Sequence, residues 1–294
     1  MKKRCMALFC FIILMGCIHA IAYAVDAQEG ELFIGAEDFQ YLKSIYTKKE
    51  IESFHIIRLV YDEDGNNTLD VNELFMIPNI TELYVPEGVY LSDYTALKTQ
   101  RQLKVLCLPS QGLSDISFLS SLSLLEEADL SDNEISDITP LQGLQNLGIL
   151  DLSKNDISDI SVLRNLANLT ELYLDFNQNL ADLGSLQGLL KLEALSVAST
   201  KVSDLSPVAG LANLYVLIFS QCEVRDISPL AGLTDMFYLD MRHNQITDID
   251  ALEAMRDLTF LYVYGNPISD DSVLHGLEKI SFELATTDDS KSYE

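Results

Sequence analysis

A unit of 22 residues recurs through most of the chain, and one copy reads LEEADLSDNEISDITPLQGLQN from Leu125 to Asn146. Successive copies align on the second apolar residue of an L-x-L core, and neighbouring copies are 22 or 23 residues apart. The aligned core positions are Val85, Leu108, Leu130, Leu152, Leu174, Val197, Phe219, Met241 and Val263. A fixed period of this length is typical of a solenoid, in which each repeat stacks on its neighbours.

Each copy has an alternating part and a turning part. Leu150 and Leu152 alternate with Ile149, Asp151 and Ser153, which predicts a strand with one buried face. The rest of that copy, NDISDISVLRNL, has an apolar residue at about every third position, which favours 3₁₀ or short helical turns. No single repeat can enclose a core, so the stack must form one together.

Two polar columns accompany the apolar ones. An asparagine recurs three residues after the core position, where its amide can bond the backbone of the tight turn that leaves the strand. An aspartate recurs before the next turn, where a short polar side chain can cap it. The asparagines are Asn133, Asn155, Asn177, Asn244 and Asn266, and the aspartates are at positions 93, 115, 137, 159, 182, 204, 226, 248 and 270.

The run N-x-I-S-D-I-x-P-L-x-x-L resembles the leucine-rich repeats of bacterial internalins and of a eukaryotic phosphatase-1 regulatory subunit, over residues 80–284. The resemblance implies an α/β repeat solenoid. This would be a curved leucine-rich repeat array with a concave parallel β-sheet and with 3₁₀ or short helical turns on its convex side. The resemblance is specific for fold and says less about function, because such repeats are a scaffold for many functions.

The start of the chain predicts export. Residues 1–24 combine a basic start with an apolar run and end in Ala22-Tyr23-Ala24, which is typical of a secretory signal peptide cut after Ala24. Leu14-Met15-Gly16-Cys17 resembles a bacterial lipoprotein box, so lipid attachment at Cys17 is an alternative, and an uncleaved anchor is a third. Each version places the repeats outside the cytoplasm, either secreted or in the cell envelope. No second long apolar run follows, so no transmembrane span is predicted in the mature chain.

The remaining segments flank the repeats. Residues 25–79 are predicted to form an N-terminal cap that shields the first repeat, and Thr47-Lys48-Lys49-Glu50 predicts a capping box that opens a short helix there. Residues 285–294 are predicted to be a disordered tail. Outside the signal, Cys107 and Cys222 are five repeats apart, which is about 24 Å at about 4.8 Å per strand. That separation is beyond the reach of a disulfide.

Charge and composition bound the function. The formal net charge is −26, which argues against nucleic acid and anionic membranes as partners and leaves basic proteins and cations open. Histidines outside the signal, His55, His243 and His275, lie in unrelated repeat contexts. No Ser-His-Asp order, phosphate loop or histidine-bearing metal cluster is present in the sequence, so the chain is predicted not to be an enzyme.

One short motif predicts a ligand of its own. The segment DEDGNNTLDVNE, residues 62–73, has oxygen-bearing residues at each ligand position of a twelve-residue calcium loop. The ligands would be Asp62, Asp64, Asn66, Thr68 through its carbonyl, Asp70 and Glu73. Asn67 replaces the usual glycine, and the preceding IIRLVY is as strand-like as it is helical. A Ca²⁺ loop and a plain acidic turn therefore both remain open.

The outward face of the predicted sheet indicates a binding surface. Early repeats place acids on this face, at Glu127, Asp129, Asp151, Glu171 and Asp175. Later repeats place apolar and aromatic residues there, with Arg242 beside them. An exposed patch of this composition is typical of protein–protein interfaces, although a C-terminal cap or a second copy of the chain would be an alternative cover. The predicted binding residues are Tyr173, Phe176, Val216, Ile218, Tyr238, Asp240, Arg242, His243, Phe260, Tyr262 and Tyr264.

Together these features predict a secreted or surface-attached leucine-rich repeat protein that binds another protein through its concave face. Two other functions remain open. The resemblance to the phosphatase regulator implies a regulatory subunit that holds an enzyme, although the signal segment argues against it. The acidic loop at 62–73 leaves a structural, calcium-binding component of the envelope.

Overall fold

The computed structural model describes residues 30–35, 46–61 and 67–277 of this chain. Three predicted segments lie outside these residues: the signal peptide with Cys17, residues 62–66 of the calcium loop, and the tail. Within the described ranges, short parallel strands alternate with short helical turns. Across those same ranges, no helix has the length and apolarity that crossing a membrane requires.

Parallel strands build the body of the molecule. In the part of the chain that the structure describes, eleven of them form one sheet, and β3 and β5 pair separately beside it. The strands are β1 (Glu31–Gly35), β2 (Ile56–Val60), β3 (Thr68–Leu69), β4 (Glu82–Tyr84), β5 (Tyr90–Leu91), β6 (Val105–Cys107), β7 (Glu127–Asp129), β8 (Ile149–Asp151), β9 (Glu171–Tyr173), β10 (Ala194–Ser196), β11 (Val216–Ile218), β12 (Tyr238–Asp240) and β13 (Phe260–Tyr262). From β6 onward each strand pairs with the next one in the chain, which confirms the predicted solenoid.

The inward columns of the repeat form one continuous core. Leu150 lies between Ala128 and Leu172 in register, and none of the three has measurable solvent exposure. Leu152 is equally buried one step further along the chain. Burying a leucine side chain contributes about 1.5–3 kcal/mol, so the repeated columns supply most of the driving force for stacking.

Short 3₁₀ helices return the chain on the convex side. In the repeat after β8, Asp159 Oδ1 accepts a hydrogen bond of 2.7 Å from the backbone N–H of Ser161, the first residue of a helix. The other aspartates of that column make the same bond two residues ahead, which confirms the predicted capping column. The 3₁₀ helices are Val71–Met76, Tyr94–Thr99, Ser117–Ser121, Thr139–Leu141, Ser161–Asn165, Gly184–Leu186, Ser206–Val208, Ser228–Gly232, Asp250–Ala254 and Ser272–Gly276.

The asparagine column connects neighbouring repeats through their backbones. The Asn155 amide donates to the carbonyl oxygens of Leu130 and Leu152 at 3.0 and 3.1 Å, and its Oδ1 accepts from Ile135 N–H at 2.9 Å. Asn133, Asn177, Asn244 and Asn266 repeat this arrangement. Cys222 occupies the same column as a free thiol, with Sγ 3.2 Å from the Val197 carbonyl oxygen.

Asn177→Ala is expected to destabilise the array by roughly 3 kcal/mol. Asn177 is fully buried, and its loss would leave Ile157 N–H and the carbonyls of Leu152 and Leu174 without their amide partner. Each buried group left unpaired costs about 1–3 kcal/mol. Urea unfolding followed by circular dichroism measures the change. Asn168→Ala is the control, because this exposed asparagine only bonds at the surface. Equal losses for the two variants would contradict the structural role of the column.

The N-terminal edge has its own helix and strands. Helix α1 (Lys48–Ser53) begins with the predicted capping box: Thr47 Oγ1 accepts from Glu50 N–H, and Glu50 Oε2 accepts from Thr47 N–H at 2.7 Å. Strands β1 and β2 extend the sheet on the N-terminal side of residue 80, where the sequence placed the first repeat. Arg58 on β2 pairs with Glu31 on β1, and its guanidinium carbon lies 3.7 Å from the centre of the Tyr84 ring. These contacts hold β1 against the sheet.

Candidate protein-binding face

The face of the sheet that is turned away from the 3₁₀ helices is the concave face, and its side chains form two rows across the strands. The row at the last residue of each strand contains Asp129, Asp151, Tyr173, Ser196, Ile218, Asp240 and Tyr262. The row at the first residue contains Glu127, Ile149, Glu171, Ala194, Val216, Tyr238 and Phe260. The strand residues predicted to bind a partner therefore share one face.

The sequence predicts a solvent-exposed face here, and for part of the face that prediction is wrong. Val216, Ile218, Tyr238 and Asp240 are buried, with exposed fractions of 3%, 6%, 4% and 2%. Asp151 is also buried, at 9%. Strands about 4.8 Å apart bring outward side chains into contact, and concave curvature draws their ends closer together. Facing outward on this sheet therefore does not mean facing water.

An aromatic cluster lies at the C-terminal end of the concave face. We define the aromatic end as Tyr238, Arg242, Phe260, Tyr262 and Tyr264. The Tyr238 ring centre lies 5.5 Å from that of Tyr262 and 6.0 Å from that of Phe260. Both distances fall in the range of stabilising aromatic pairs. Phe260, Tyr262 and Tyr264 remain half-buried, so the cluster presents ring surface above a buried tyrosine.

Arg242 holds a fixed position within the aromatic end. Its Nε and Nη2 atoms donate to the two carboxylate oxygens of Asp240 at 2.8 and 2.6 Å, which is a bidentate pair. Nη1 donates to the Tyr264 hydroxyl at 3.1 Å, and the guanidinium carbon lies 5.2 Å from the Tyr262 ring centre. The carboxylate of Asp240 raises the pKa of Arg242 further above its ordinary value. The arginine therefore stays charged and keeps a defined orientation.

The other predicted residues lie at the rim or on an earlier strand. His243 is exposed and packs edge-on against Tyr264, with ring centres 4.9 Å apart. Tyr173 on β9 is buried and donates to Glu171 Oε2 at 3.0 Å, whereas Phe176 just beyond it is 49% exposed. Two strands, β10 and β11, separate β9 from β12, so these residues lie about 14 Å from the aromatic end. The predicted site thus divides into two groups.

Carboxylates dominate the other half of the face. We define the acidic row as Asp129, Asp151, Glu171 and Asp175. Asp151 Oδ1 accepts from Ser153 N–H at 2.8 Å, and Asp175 Oδ1 accepts from Ala198 N–H at 2.6 Å. Within the described residues, no lysine, arginine or histidine forms an ion pair with a member of this row.

Burial changes the proton affinity of three carboxylates of the acidic row, Asp151, Glu171 and Asp175. Burial, and after it the nearby charge of Asp129, raises the pKa of Asp151 above its ordinary value. Burial also raises the pKa of Glu171 to about 7, and that of Asp175 to about 6 against the opposing effect of its hydrogen bonds. The concave face therefore exchanges protons near neutral pH, unlike ordinary surface carboxylates.

Two residues that contact the face were missed by the sequence analysis. Tyr215 and Phe237, which directly precede β11 and β12, pack against the apolar side chains of the concave face. The Phe237 ring centre lies 5.3 Å from that of Phe260. The equivalent residues in other repeats include Lys104, Glu126 and Thr170, so the repeat alignment already showed an aromatic change in a polar column.

Comparison with known proteins agrees with this geometry. A family profile for leucine-rich repeats in two copies matches residues 123–165. An internalin of Listeria monocytogenes, InlF, superposes with a TM-score of 0.75 at 27% identity, over 83% of this chain and 79% of that one. This chain belongs to the leucine-rich repeat family. Its repeats are of the internalin-like variety predicted from their sequence.

Two further solved structures are similar to this leucine-rich repeat chain. Internalin C2 of Listeria monocytogenes is 32% identical with a TM-score of 0.58, over 59% of this chain and 76% of that one. The ectodomain of a receptor kinase of Arabidopsis thaliana has a TM-score of 0.66 at 20% identity, over 85% of this chain and 34% of that one, and shares the fold. Among curated proteins, none matches the chain by sequence.

The acidic segment of the predicted calcium loop lies within a leucine-rich repeat. Register places Ile57 opposite Leu83, so Leu59 aligns with the core position Val85 at a spacing of 26 residues. Leu69 and Leu74 return to the core after the segment, and both are fully buried. The spacing from Leu59 to Val85 is therefore about four residues longer than the common period.

The surroundings of the segment differ from a calcium-binding helix–loop–helix. Strand β2 precedes it and the 3₁₀ helix Val71–Met76 follows it. Asp62, Asp64 and Asn66 lie outside the described residues. Of the other predicted ligands, Asp70 Oδ1 accepts from Asn72 N–H at 3.0 Å, and burial raises the pKa of Glu73. In the described ranges, no cluster of three or more His, Cys, Asp and Glu side chains is suited to a metal.

A calorimetric experiment separates the two interpretations of this segment. A calcium loop predicts that Ca²⁺ at about 100 times its dissociation constant stabilises the fold by about 2.7 kcal/mol. Glu73→Ala should then abolish that gain, because it removes the predicted bidentate ligand. Glu87→Ala, at an exposed acid in the next repeat, is the control and should keep the gain. An unfolding temperature that millimolar Ca²⁺ leaves unchanged in all three proteins would establish an acidic turn.

Proposed function

We propose that this chain is an exported or cell-surface protein that binds another protein through its concave face and has no catalytic role of its own. The aromatic end carries the proposal. It combines half-buried phenylalanine and tyrosine rings with a fixed, charged arginine on a rigid sheet. Rings and arginines of this kind are enriched among the residues that dominate binding energy in protein interfaces.

The accessible members of the aromatic end define the contact. Phe260, Tyr262 and Tyr264 would meet the partner, with Arg242 adding a directional polar contact at the edge. Tyr238 would support them from below, because it is buried and packs on two of the three rings. Substitution of Tyr238 should therefore lower stability and binding together, whereas substitution of Tyr262 should chiefly lower binding.

Photo-crosslinking tests the proposed contact. A photoreactive phenylalanine analogue in place of Tyr262, in the full chain exposed to the surface proteins of the producing cells, should form a covalent adduct with one protein. The same analogue at Leu190 is the control, since this residue is 59% exposed in a turn outside the sheet. Tyr262→Ala should weaken capture of that protein by about 2 kcal/mol, or roughly thirtyfold in affinity. The proposal fails if position 262 yields no adduct or only those seen at position 190.

The export part of the proposal rests on the sequence of residues 1–24 and has a separate test. Mass spectrometry of the mature N-terminus should show Val25 as the first residue after ordinary cleavage. Lipidation would instead leave a diacylglyceryl Cys17 at the N-terminus. An intact Met1 on a protein that remains in the cytoplasm would favour the other function, a regulatory subunit that holds an enzyme.

A further inference from the structure

The concave face changes its chemistry from one end to the other, and this identifies the class of partner if the proposed function holds. The acidic row lies on β7 to β9, including the turn after β9. Next to it, β10 contributes only the small side chains of Ala194 and Ser196. Beyond β10, Val216 and Ile218 lead to the aromatic end. A charged half and an apolar half therefore meet along one strand.

The apolar half has a continuous floor. Ala194, Val216, Ile218 and Tyr238 form a buried cluster of their own, separate from the core inside the solenoid. The rings of Phe260 and Tyr262 pack against this cluster and close its far side. A partner segment that lies along this floor would contact hydrocarbon over about three strand spacings, or about 14 Å.

Among the described residues, no cation pairs with the carboxylates of the charged half. Ion pairs that the structure describes on this face use Arg58 at one edge and Arg242 at the other, and neither pairs with the acidic row. Desolvated carboxylates without a cation are unfavourable, and a cation brought by a partner would lower that cost. Charge complementarity thus selects a basic partner on this side of the floor.

We propose that the concave face binds a protein segment that is both basic and apolar. Lysine or arginine side chains of the segment lie against the acidic row, and its aliphatic or aromatic side chains lie on β10 to β13. The order along the sheet fixes the direction of the segment, because the charged and apolar halves do not alternate. The acid-rich exterior of the chain as a whole would not supply such a direction.

Binding of this kind is linked to protons. A cation beside Glu171 and Asp175, whose pKa values are about 7 and about 6, favours their charged forms and releases protons. Affinity should therefore rise between about pH 5.5 and about pH 7.5. The groups that act on the acidic row are themselves acidic or neutral, apart from the arginine already paired with Asp240. Asp151 is surrounded by Asp129, Asp175 and Ser153. Glu171 is surrounded by Glu127, Glu193 and Tyr173. Asp175 is surrounded by Asp240, Ser196 and Ala198.

Selection from a random peptide library displayed on phage, against the full chain at about pH 7.5, tests the partner class without knowing the partner. Enriched peptides are synthesised and their affinities measured by fluorescence anisotropy. We expect them to combine lysine or arginine with aliphatic or aromatic residues. Their affinity should fall at least about tenfold in Asp151→Asn/Glu171→Gln/Asp175→Asn, and at least about tenfold at about pH 5.5.

A charge-matched variant separates the site from the overall acidity. Glu134→Gln/Asp156→Asn/Glu223→Gln removes the same charge from exposed residues of the turns and should change affinity by less than about threefold. Circular dichroism confirms that both triple variants keep the fold.

Tyr262→Ala distinguishes failure of this inference from failure of the proposed function. If the affinity of the peptides falls in Tyr262→Ala but not in the acidic triple variant, the basic partner is overturned and concave-face binding is kept. If both variants leave the affinity unchanged, or if no peptides are enriched, the basic partner is overturned and the result counts against concave-face binding. Equal losses in the two triple variants would reduce the effect to overall charge and also overturn the inference.

Discussion

Leu150→Asp is expected to unfold most of the repeat array. Leu150 has no solvent exposure, and it lies between Ala128 and Leu172 of the neighbouring strands. An aspartate there would bury an unpaired carboxylate or take up a proton at a shifted pKa, and the lost packing adds to that cost. The sum is at least about 4 kcal/mol, a large share of the roughly 5–15 kcal/mol that stabilises a typical domain. Because each repeat depends on its neighbours, the loss should spread from β8.

The adjacent residue provides the control for this prediction. Asp151→Leu changes the same strand by one position, but its side chain lies on the concave face beside Asp129. It removes a buried carboxylate, so the variant should keep the wild-type circular dichroism spectrum and be at least as stable at neutral pH. The urea midpoint and the spectrum of both variants are the measurements. A folded Leu150→Asp variant with an unchanged midpoint would mean that the assigned strand phase is wrong.

The solenoid could be predicted because its repeating columns can be read directly from the amino-acid sequence. The alternation of Leu150 and Leu152 with Asp151 and Ser153 predicted the inward face of the strand. The recurring Asn155 and Asp159 columns predicted hydrogen bonds that the structure contains. The repeat averages out local ambiguity, because the same pattern has to satisfy many adjacent units. The first strand, β1, follows no such pattern and was not predicted.

The candidate site was predicted less well for a physical reason. Period-2 alternation tells which face a side chain takes, but not how closely neighbouring outward side chains approach on a curved sheet. Tyr238 and Asp151 were therefore placed on the correct face and given too much exposure. Tyr215 and Phe237 directly precede their strands, so the period-2 pattern of the strands does not include them. The exposure of each outward side chain depends on three-dimensional packing, which no column of the repeat encodes.

The stability of the chain is expected to fall as pH rises from about 4 to about 7. Glu171 and Asp175 have pKa values of about 7 and about 6 in the folded chain, compared with ordinary values of 4.5 and 3.8. The pKa of Asp151 is also raised, first by burial and then by the nearby charge of Asp129. Between the two sets of values the folded chain binds more protons than the unfolded chain. Stability is therefore greatest below the ordinary pKa values, and it decreases as pH rises until these carboxyls have ionised in the folded chain as well.

Other aspartates set the acid limit of this profile. The exposed capping residues Asp137 and Asp159 have pKa values held below the ordinary range by hydrogen bonds from the backbone N–H groups of Thr139 and Ser161. A lowered pKa contributes stability above the ordinary value, and that contribution is lost as pH falls through the lowered one. Asp204, Asp226 and Asp270 are shifted in the same direction. The two opposing effects place the stability maximum at about pH 4–5.

Asp151→Asn is expected to flatten the profile by stabilising the fold at high pH. The amide oxygen can still accept from Ser153 N–H, while the buried charge beside Asp129 disappears. We expect a gain of about 1–3 kcal/mol at about pH 8, which is roughly 2–10 °C in unfolding temperature, and a smaller gain at about pH 5. Asp156→Asn is the control, because it removes the same charge from an exposed residue of the same repeat and should leave the profile unchanged. Thermal unfolding across this pH range measures both variants. A wild-type profile that is flat above about pH 5, or equal gains for both variants, would show that the acidic row carries no special cost and that only the overall charge matters.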